Sequence, residues 1–333
     1  MRAWIVKTPG PIHTNPLQLV EKETPNPGPG QLLVKVLACG VCRTDLHLAE
    51  GDLNPKYPGI IPGHEVIGTV IALAPDVTDF RISDRVGIAW LQGTCGSCRF
   101  CRSGSENLCN SPVFTGWDND GGFAEYAVVN QNYAYKIPEG IPTEKAAPLL
   151  YSGIIGYRAL LRAQLNKDAV LGIYGFGASA HLAMQVALHQ GARVHVITRS
   201  EKARQQALRL GASSAIDLTE SLSEPLSSAI IFAPSGELVP LALKALDRGG
   251  TLAIAGIYLS DIPRLNYEKY LFLEKTITSV TANTRSDGKQ FLDLAVQMGI
   301  DVATVPYPFE QANQALSDLA KHRYEGAAVL MME

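Results

Sequence analysis

The chain has 333 residues, of which 46% are hydrophobic and 18% charged, with a formal net charge of −3. This length allows two domains of ordinary size, and the apolar fraction permits a large core and argues against disorder. There is no basic run to favour nucleic acid as a partner, and no apolar run approaches the roughly 18 to 20 residues of a membrane span.

The amino terminus, residues 1–7, has the pattern of a strand and not of a signal peptide. We therefore expect a soluble, cytoplasmic protein. All six cysteines lie clustered in the first third of the chain: Cys39, Cys42, Cys95, Cys98, Cys101 and Cys109. In a cytoplasmic chain such clustering favours metal binding over a disulfide framework.

Residues 1–147 contain short β-like runs separated by proline and glycine, such as 31–37, 66–72 and 123–129, with a turn-rich segment at 24–30. This pattern predicts a β-rich domain with irregular loops. Within it, Cys42 is followed 22 residues later by His64. A thiol and an imidazole are typical zinc ligands.

Polar side chains surround this pair in the sequence: Thr44, Asp45, His47 and Glu65. A buried apolar core would not favour such neighbours, so we interpret Cys42 and His64 as part of a metal site.

A second group, within residues 93–110, predicts a different kind of metal site. Its four thiols belong to Cys95, Cys98, Cys101 and Cys109. Four closely spaced thiols can form a closed tetrahedral shell, which is typical of structural zinc. Cys39 remains, and we expect it to be a small buried side chain near the first site rather than a ligand.

From residue 148 the pattern changes to alternating strands and helices. A β-run at 169–174 is followed by a G-x-G-x-x-A turn and then by helical spacing from residue 181. This is the dinucleotide fingerprint in its required context. It predicts that the cofactor pyrophosphate contacts the turn and the start of the helix, at Gly175, Gly177, Ala178 and Ser179.

The next strand, 193–198, bears on the choice of cofactor. NAD sites usually place an acid about 20 residues past the glycines, but here the strand ends in Thr198, Arg199 and Ser200. A guanidinium and two hydroxyls could bind a 2′-phosphate, so we predict NADP in preference to NAD. The alternative is that Arg199 is a solvated surface residue.

Two more strands, 228–232 and 250–256, with an apolar helix between them, predict a parallel doubly wound sheet. The tail contains helical patterns at 287–296 and 310–319 and a final strand at 326–331. We expect these elements to complete the two domains and not to form a third.

Together these motifs resemble those of a zinc-dependent alcohol dehydrogenase of the medium-chain dehydrogenase/reductase superfamily, over nearly the whole chain. The resemblance implies an α/β protein with a GroES-like β-rich catalytic domain at 1–147, which includes the zinc lobe at 93–110. It also implies a Rossmann domain at 148–286, a return to the catalytic domain at 287–333, and a homodimer or homotetramer.

The resemblance also implies roles for single residues. Cys42 and His64 match two catalytic zinc ligands, Asp45 the carboxylate that orients the histidine, and Glu65 the acid behind the metal. Glu65 or Asp45 could then serve as a further ligand.

Other matches concern substrate and cofactor. Thr44 matches the hydroxyl that touches the substrate oxygen, and His47 the far end of the proton relay. Arg43 lies where the family often places a residue near the cofactor pyrophosphate. Trp90 and Trp117 lie in stretches that line the substrate pocket in this family.

One departure affects the chemistry. The family's third zinc ligand is a cysteine in a Leu-Leu-Cys-Ala-Gly segment, and here Tyr151 takes its place. Zinc could remain with Cys42, His64 and a carboxylate, could bind an ionised Tyr151, or could be missing. Ligand count favours weak or absent catalytic zinc.

The expected reaction is hydride transfer between a small alcohol or aldehyde and nicotinamide, with a Lewis-acidic metal polarising the substrate oxygen. Two alternatives remain open. The first is an enone or aldehyde reductase of the same superfamily that works without metal and uses Tyr151 as a proton donor. The second is a cofactor-binding protein with little turnover.

Overall fold

In the computed structural model, which describes residues 1–332, the chain forms two compact units. The first unit contains 1–151, 282–296 and the segment from Val302 onward, and the second contains 152–281 and 297–301. The sequence placed the domain borders after residues 147 and 286. The units separate instead after Tyr151 and Thr281.

The first part of the chain supplies nine strands and three helices. The strands are β1 (Arg2–Val6), β2 (Leu17–Glu21), β3 (Gln31–Val41), β4 (Val66–Leu73), β5 (Arg85–Ile88), β6 (Leu91–Gly93), β7 (Val113–Phe114), β8 (Tyr126–Asn130) and β9 (Ala134–Lys136). The helices are α1 (Arg43–Glu50), α2 (Arg99–Arg102) and α3 (Thr143–Ala146). Single 3-10 turns lie at Ile12–Thr14, Glu106–Leu108, Gln131–Tyr133 and Ala147–Leu150.

The second unit alternates strands and helices. In chain order they are α4 (Ser152–Arg162), β10 (Val170–Tyr174), α5 (Ala178–His189), β11 (Arg193–Ile197), α6 (Glu201–Arg209), β12 (Ser214–Ile216), β13 (Leu226–Ile231), α7 (Leu238–Ala245), β14 (Leu246–Ile254), α8 (Tyr267–Tyr270) and β15 (Thr276–Ser279). The tail adds α9 (Arg285–Gln297), β16 (Thr304–Pro308), a 3-10 turn (Phe309–Gln311), α10 (Ala312–Ala320) and β17 (Ala327–Met331).

The main sheet of the first unit has the order β16-β17-β3-β4-β5-β9, and β8 also pairs with β3. β3 is its central strand and pairs antiparallel with β4, β8 and β17. In the register, Cys39 of β3 faces Val66 of β4 and Leu330 of β17. Cys39 is fully buried, as the sequence predicted. Because Cys39 faces Val66, the first residue of β4, the carboxyl end of β3 lies beside the start of β4.

The sheet of the second unit is parallel throughout, with the order β12-β11-β10-β13-β14-β15. The strands β10, β11 and β13 are largely buried apolar runs, as expected where helices cover both faces. The chain leaves β10 in one direction towards β11 and later returns to its other side at β13. Ligands of such sheets bind at the carboxyl ends of the strands at this switch point. The predicted fold class, a β-rich domain with a parallel doubly wound domain, is confirmed.

Some predicted elements begin or end elsewhere. The strand expected at 123–129 starts only at Tyr126, because the amides of Gly122 and Phe123 bond to the carbonyls of Gly63 and Pro62. The helix expected at 310–319 opens with the 3-10 turn at Phe309–Gln311. Among residues 1–332, no helix is long and apolar enough to cross a bilayer.

Gly288 in α9 offers a test of packing in the first unit. A Cβ at this position would lie 2.4 Å from the ring of Tyr135, which is 3% exposed. We expect Gly288→Ala to cost about 1–3 kcal/mol of overpacking, which exceeds the roughly 1 kcal/mol of helix propensity that alanine adds. The measurement is the thermal midpoint. Gly10→Ala, whose Cβ meets only Thr14 at 3.5 Å, is the control and should leave the midpoint unchanged. A midpoint for Gly288→Ala at or above the wild-type value would contradict this packing.

Candidate functional site

The first group of donors forms where β3 ends and β4 begins. Cys42 is the N-cap of α1, directly after β3, and His64 and Glu65 directly precede β4. Because β3 and β4 are antiparallel neighbours, these ends lie side by side. The Cys42 Sγ is 3.1 Å from His64 Nε2, and one ligand atom from each of the three residues lies within 4.8 Å of the others.

Asp45 organises this group from behind. Its carboxylate accepts from the amides of Cys42 and Gly63, each at 2.9 Å, and lies 3.3 Å from His64 Nδ1. Holding Nδ1–H in this way leaves the Nε2 lone pair for a metal. Asp45 was a candidate ligand from sequence, but its oxygens face the far side of the imidazole and lie outside the donor group. Its position is that of the orienting carboxylate.

Glu65 is the unusual member of the group. It is 1% exposed, and among residues 1–332 neither carboxylate oxygen has a hydrogen-bond partner. Burial and the charge of Asp45 raise the pKa of Glu65 well above its ordinary value. A buried carboxylate without a partner is costly, and a cation would remove that cost. Cys42, His64 and Glu65 therefore fit a zinc ion, since thiolate, imidazole and carboxylate are all zinc ligands.

Gly40 makes this position of Glu65 possible. A Cβ on Gly40 would lie 2.0 Å from Glu65 Oε2 and 2.8 Å from its Cβ. Any larger residue at position 40 would displace the carboxylate from the donor group.

Tyr151 lies beside the donor group. Its ring packs edge-on against the His64 imidazole, with centroids 4.7 Å apart, and its hydroxyl is 3.4 Å from Thr44 Oγ1. Burial and the nearby Cys42 raise the pKa of Tyr151. The side chain is therefore a neutral phenol directed at the Thr44 hydroxyl.

The other sequence candidates of the first unit lie nearby on α1. His47 Nδ1 is 2.9 Å from the Asp52 carboxylate. An Nη of Arg43, the first residue of α1, is 3.0 Å from the His322 Nε2.

Three near-parallel aromatic rings, which we call the aromatic slab, extend from the donor group: Trp90, Phe114 and Trp117. Trp90 stacks on Phe114 at 4.8 Å and 17°, and on Trp117 at 6.1 Å and 9°. Trp90 also meets the His64 ring at 4.9 Å and 72°. The slab therefore begins at a candidate metal ligand.

The four cysteines of the lobe converge as the sequence predicted. The Sγ of Cys98 is 3.5 Å from that of Cys101, the Sγ of Cys95 is 3.9 Å from it, and Cys109 completes the group within 4.8 Å. Backbone N–H groups of Cys98 and Ser97 lower the pKa of Cys95 to about 6. Such N–H donors favour the thiolate, which is the form that binds zinc.

In the second unit, the glycine turn follows β10 and the Thr198-Arg199-Ser200 segment follows β11. The two strands pair in parallel, and the Gly175 amide donates to the carbonyl of Ile197. Both segments therefore lie at one edge of the sheet. Gly175 has φ +87°, and a Cβ there would lie 2.9 Å from the Cβ of Ala233. Both the backbone conformation and the close packing therefore require glycine at this position.

Gly177 is different. A Cβ there would meet nothing within 4 Å, yet Gly177 is the N-cap of α5 and provides no side-chain cap. The first amides of α5, from Ala178 and Ser179 onward, are thus free to meet an anion, as a pyrophosphate would require.

Arg199 is exposed, and within residues 1–332 it forms no ion pair. Ser200 caps α6 by accepting from the Ala203 amide.

Sequence reasoning missed Gly40, Asp52 and Phe114. Phe114 lies near Trp117 in sequence, but its stacking on Trp90 depends on the β6–β7 pairing. Gly40 offers no sequence signal for its contact with Glu65.

These two units, with their converging metal donors and dinucleotide edge, define a zinc-type nicotinamide oxidoreductase. Residues 28–139 match the family described as "Alcohol dehydrogenase GroES-like domain", and residues 180–317 match "Zinc-binding dehydrogenase". The chain belongs to this zinc-binding alcohol dehydrogenase family. It is a NAD(P)-dependent enzyme of the alcohol dehydrogenase and aldehyde reductase class.

Relatives cover the whole chain. A probable alcohol dehydrogenase, AdhA, from Mycobacterium tuberculosis is 54% identical over 100% of this chain and 97% of its own length. The structure of CAD from Helicobacter pylori complexed with NADP(H) has a TM-score of 0.88 and 25% identity, covering 100% of this chain and 99% of the other. Acetophenone reductase from Geotrichum candidum in complex with NAD has a TM-score of 0.88 and 26% identity, covering 99% and 97%.

The geometry of the lobe predicts a structural ion. We expect Cys101→Ser to lower the zinc content by about one ion per chain and to lower the thermal midpoint, because a structural zinc shell contributes directly to folding. Elemental analysis of purified protein, paired with a thermal melt, measures both. Cys39→Ala, a buried thiol outside both groups, is the control and should keep its zinc. Full zinc content in Cys101→Ser would show that the lobe does not hold the ion.

Proposed function

We propose that this enzyme retains a catalytic zinc ion, held by Cys42, His64 and Glu65, and oxidises small alcohols or reduces the matching aldehydes. The observation that supports this most is the buried Glu65 carboxylate, which lacks a hydrogen-bond partner within residues 1–332 and lies in the same donor group as Cys42 and His64. Glu65 thus supplies the third ligand that Tyr151 cannot. This proposal departs from the ligand count in the sequence, which favoured weak or absent zinc.

When bound, a zinc ion would supply Lewis acidity for a substrate oxygen, and a nicotinamide would supply the hydride acceptor for alcohols or the hydride donor for aldehydes.

Side chains of the protein transfer the proton of the substrate hydroxyl. The Thr44 hydroxyl takes the substrate proton as a general base relay, and it is positioned by the N-terminal turn of α1. The Tyr151 phenol, 3.4 Å away, can donate to the Thr44 oxygen and fix its direction. His47, held by Asp52 at 2.9 Å, is the far end of the relay. Asp45 keeps the His64 ring in the tautomer that leaves Nε2 free.

The Tyr151–Thr44 contact also favours a second candidate. A reductase that works without metal would use the neutral Tyr151 phenol as the proton donor to the substrate oxygen. The two candidates differ in zinc content, because the first needs two zinc ions per chain and the second needs only the ion in the lobe.

For the cofactor we propose NADP. Arg199 is exposed at the sheet edge that carries the glycine turn, and the segment Thr198-Arg199-Ser200 contains no carboxylate to repel a 2′-phosphate. The next acid, Glu201, forms an ion pair with Arg204. The Thr198 and Ser200 hydroxyls flank it. We also propose a homodimer or homotetramer, which the family resemblance supports, and a cytoplasmic location, which the clustered free cysteines support.

The ligand proposal is tested by zinc content, independently of activity. We expect Glu65→Gln to hold about one zinc per chain where the wild type holds about two, because a neutral amide is a poor replacement for a carboxylate. Adding Tyr151→Cys to Glu65→Gln should restore the second ion by returning a thiolate to the group.

Tyr151→Phe is the matched control and should keep both ions. Two zinc ions per chain in Glu65→Gln would show that Glu65 is not a zinc ligand. One zinc in the wild type would instead favour the metal-independent reductase.

Arg199→Ala tests the cofactor proposal. We expect the Kd for NADPH to rise by roughly 10- to 100-fold, the loss of about 1.5–3 kcal/mol of charge-assisted hydrogen bonding, with little change for NADH. Fluorescence titration with each cofactor measures the change. Arg209→Ala, at the far end of α6, is the control. Equal weakening for both cofactors would show that Arg199 does not contact the 2′-phosphate.

A further inference from the structure

A polar cavity of about 300 Å³ lies in the first unit, against the cysteine lobe. Three segments form its wall: residues 92–96, which lead into the lobe, the segment 130–133 after β8, and Arg285, the first residue of α9. Among the described residues that line it, none belongs to the Cys42–His64–Glu65 group or to the glycine turn. The reaction described above therefore leaves this cavity without a role.

The lining of the cavity carries one positive charge, that of Arg285, and within residues 1–332 it contains no carboxylate. The remaining polar side chains offer amide and hydroxyl groups, and they belong to Gln92, Thr94, Asn130, Asn132 and Tyr133. A guanidinium binds oxyanions, and amides and hydroxyls form hydrogen bonds with alcohols. The lining is therefore suited to an anion that also carries hydroxyl groups.

Arg285 is held in one orientation before any ligand binds. Glu106, which is 3% exposed, accepts from the backbone amide of Arg285 at 2.9 Å and from its Nε at 3.0 Å. The guanidinium carbon lies 5.2 Å from the centre of the buried Tyr133 ring. Within residues 1–332, neither Nη group of Arg285 forms a hydrogen bond. The fork of donors is thus fixed and still open to a ligand, so little side-chain entropy is lost on binding.

The neighbouring polar groups are also fixed. The Tyr133 hydroxyl and Thr94 Oγ1 are 2.5 Å apart, so each hydroxyl holds the other in place. Asn130 Oδ1 accepts from the backbone amide of Asn132 at 2.9 Å. The side-chain amide of Asn132 is exposed and has no hydrogen-bond partner within residues 1–332. A ligand with several oxygens can therefore meet the guanidinium and this amide together.

We propose that this cavity binds a small phosphate monoester that carries hydroxyl groups, of the size of glycerol 3-phosphate. The phosphate oxygens pair with the Nη groups of Arg285 in the bidentate geometry that a guanidinium prefers. The hydroxyl groups of the ester bond to the Asn132 amide and to Thr94. A bare phosphate ion would leave much of the 300 Å³ to water. Because the wall joins the lobe to α9, the bound ester stabilises the first unit.

Calorimetric titration of the full-length protein with glycerol 3-phosphate, paired with thermal midpoints, tests this site. NADPH is present at saturation throughout, so that the phosphate-binding groups of the cofactor site are already occupied. Sodium chloride holds the ionic strength constant, because a screened surface charge would otherwise imitate binding. Glycerol, which lacks the anion, and glycerate, which replaces phosphate by carboxylate, are the comparison ligands.

We expect one site per chain for glycerol 3-phosphate, and a midpoint raised by roughly 2–5 °C at ten times its Kd. Glycerol should leave the midpoint unchanged, and glycerate should bind more weakly than the ester. Arg285→Lys keeps a cation beside Glu106 but loses the fork, and it should raise the Kd by about 10-fold.

Asn132→Asp is the second variant, and it leaves the Arg285–Glu106 ion pair intact. It places a carboxylate at the cavity and should raise the Kd for glycerol 3-phosphate by about 10-fold or more. Asn166→Asp makes the same change of charge at an exposed position of the second unit, and it is the control. It should bind the ester as the wild type does.

Neither heat nor a midpoint shift with glycerol 3-phosphate would overturn the site and leave Arg285–Glu106 as a structural ion pair. An unchanged Kd in Asn132→Asp would also overturn it, as would an equal shift with glycerol. A response to glycerate as large as that to the ester would overturn the choice of phosphate. The proposed function is independent of all these outcomes, since zinc content and aldehyde reduction test it.

Discussion

The site depends on one buried carboxylate, that of Asp45. It joins three segments: the end of β3 through the Cys42 amide, the loop before β4 through the Gly63 amide, and the His64 imidazole. At 2% exposure, this charge is tolerable only because backbone and ring donors surround it. The same contacts start α1, orient the imidazole and place Thr44. The β3–β4 pairing brings the thiol and the imidazole together, and this carboxylate fixes their orientation.

The proposed donor set changes the chemistry of the metal site without changing its charge. A cysteine, a histidine and a second cysteine provide two negative charges, and so do Cys42, His64 and Glu65. The donor atoms differ, because an oxygen is harder than the sulfur it replaces. A site with one sulfur would favour harder cations more than a site with two sulfurs does. In this proposal Tyr151 does not bind the metal, so its neutral hydroxyl is available to donate a hydrogen bond to Thr44.

Local patterns in the sequence predicted most of the fold and much of the site. The lobe cysteines, the Cys42–His64 pair and the glycine turn are recognisable because their spacing alone limits what they can bind. The β-rich first part and the parallel second part also followed from hydrophobic patterning. The prediction of Cys39 as a buried residue, and not a ligand, agrees with its full burial.

What sequence could not supply depends on contacts across the fold. Glu65 becomes a candidate ligand only because Gly40, on the neighbouring strand, has no side chain to displace it. The position of the Tyr151 hydroxyl depends on the backbone after the 3-10 turn at 147–150. The late start of β8 arises from backbone bonds to a loop some 60 residues away, and no periodicity within 123–129 could reveal them.

The pairing of β3 with β17 also bears on how the enzyme is made. Gly40 and Val41, which lead into Cys42, face Val329 and Ala328 of β17. During synthesis the ribosome therefore releases the strand that carries the thiol nearly 290 residues before the strand that flanks it. The parallel sheet of the second unit is complete in the meantime, since domains fold as they emerge. The pairing of β17 with β3 is thus formed later in synthesis than the pairing of β3 with β4 and β8.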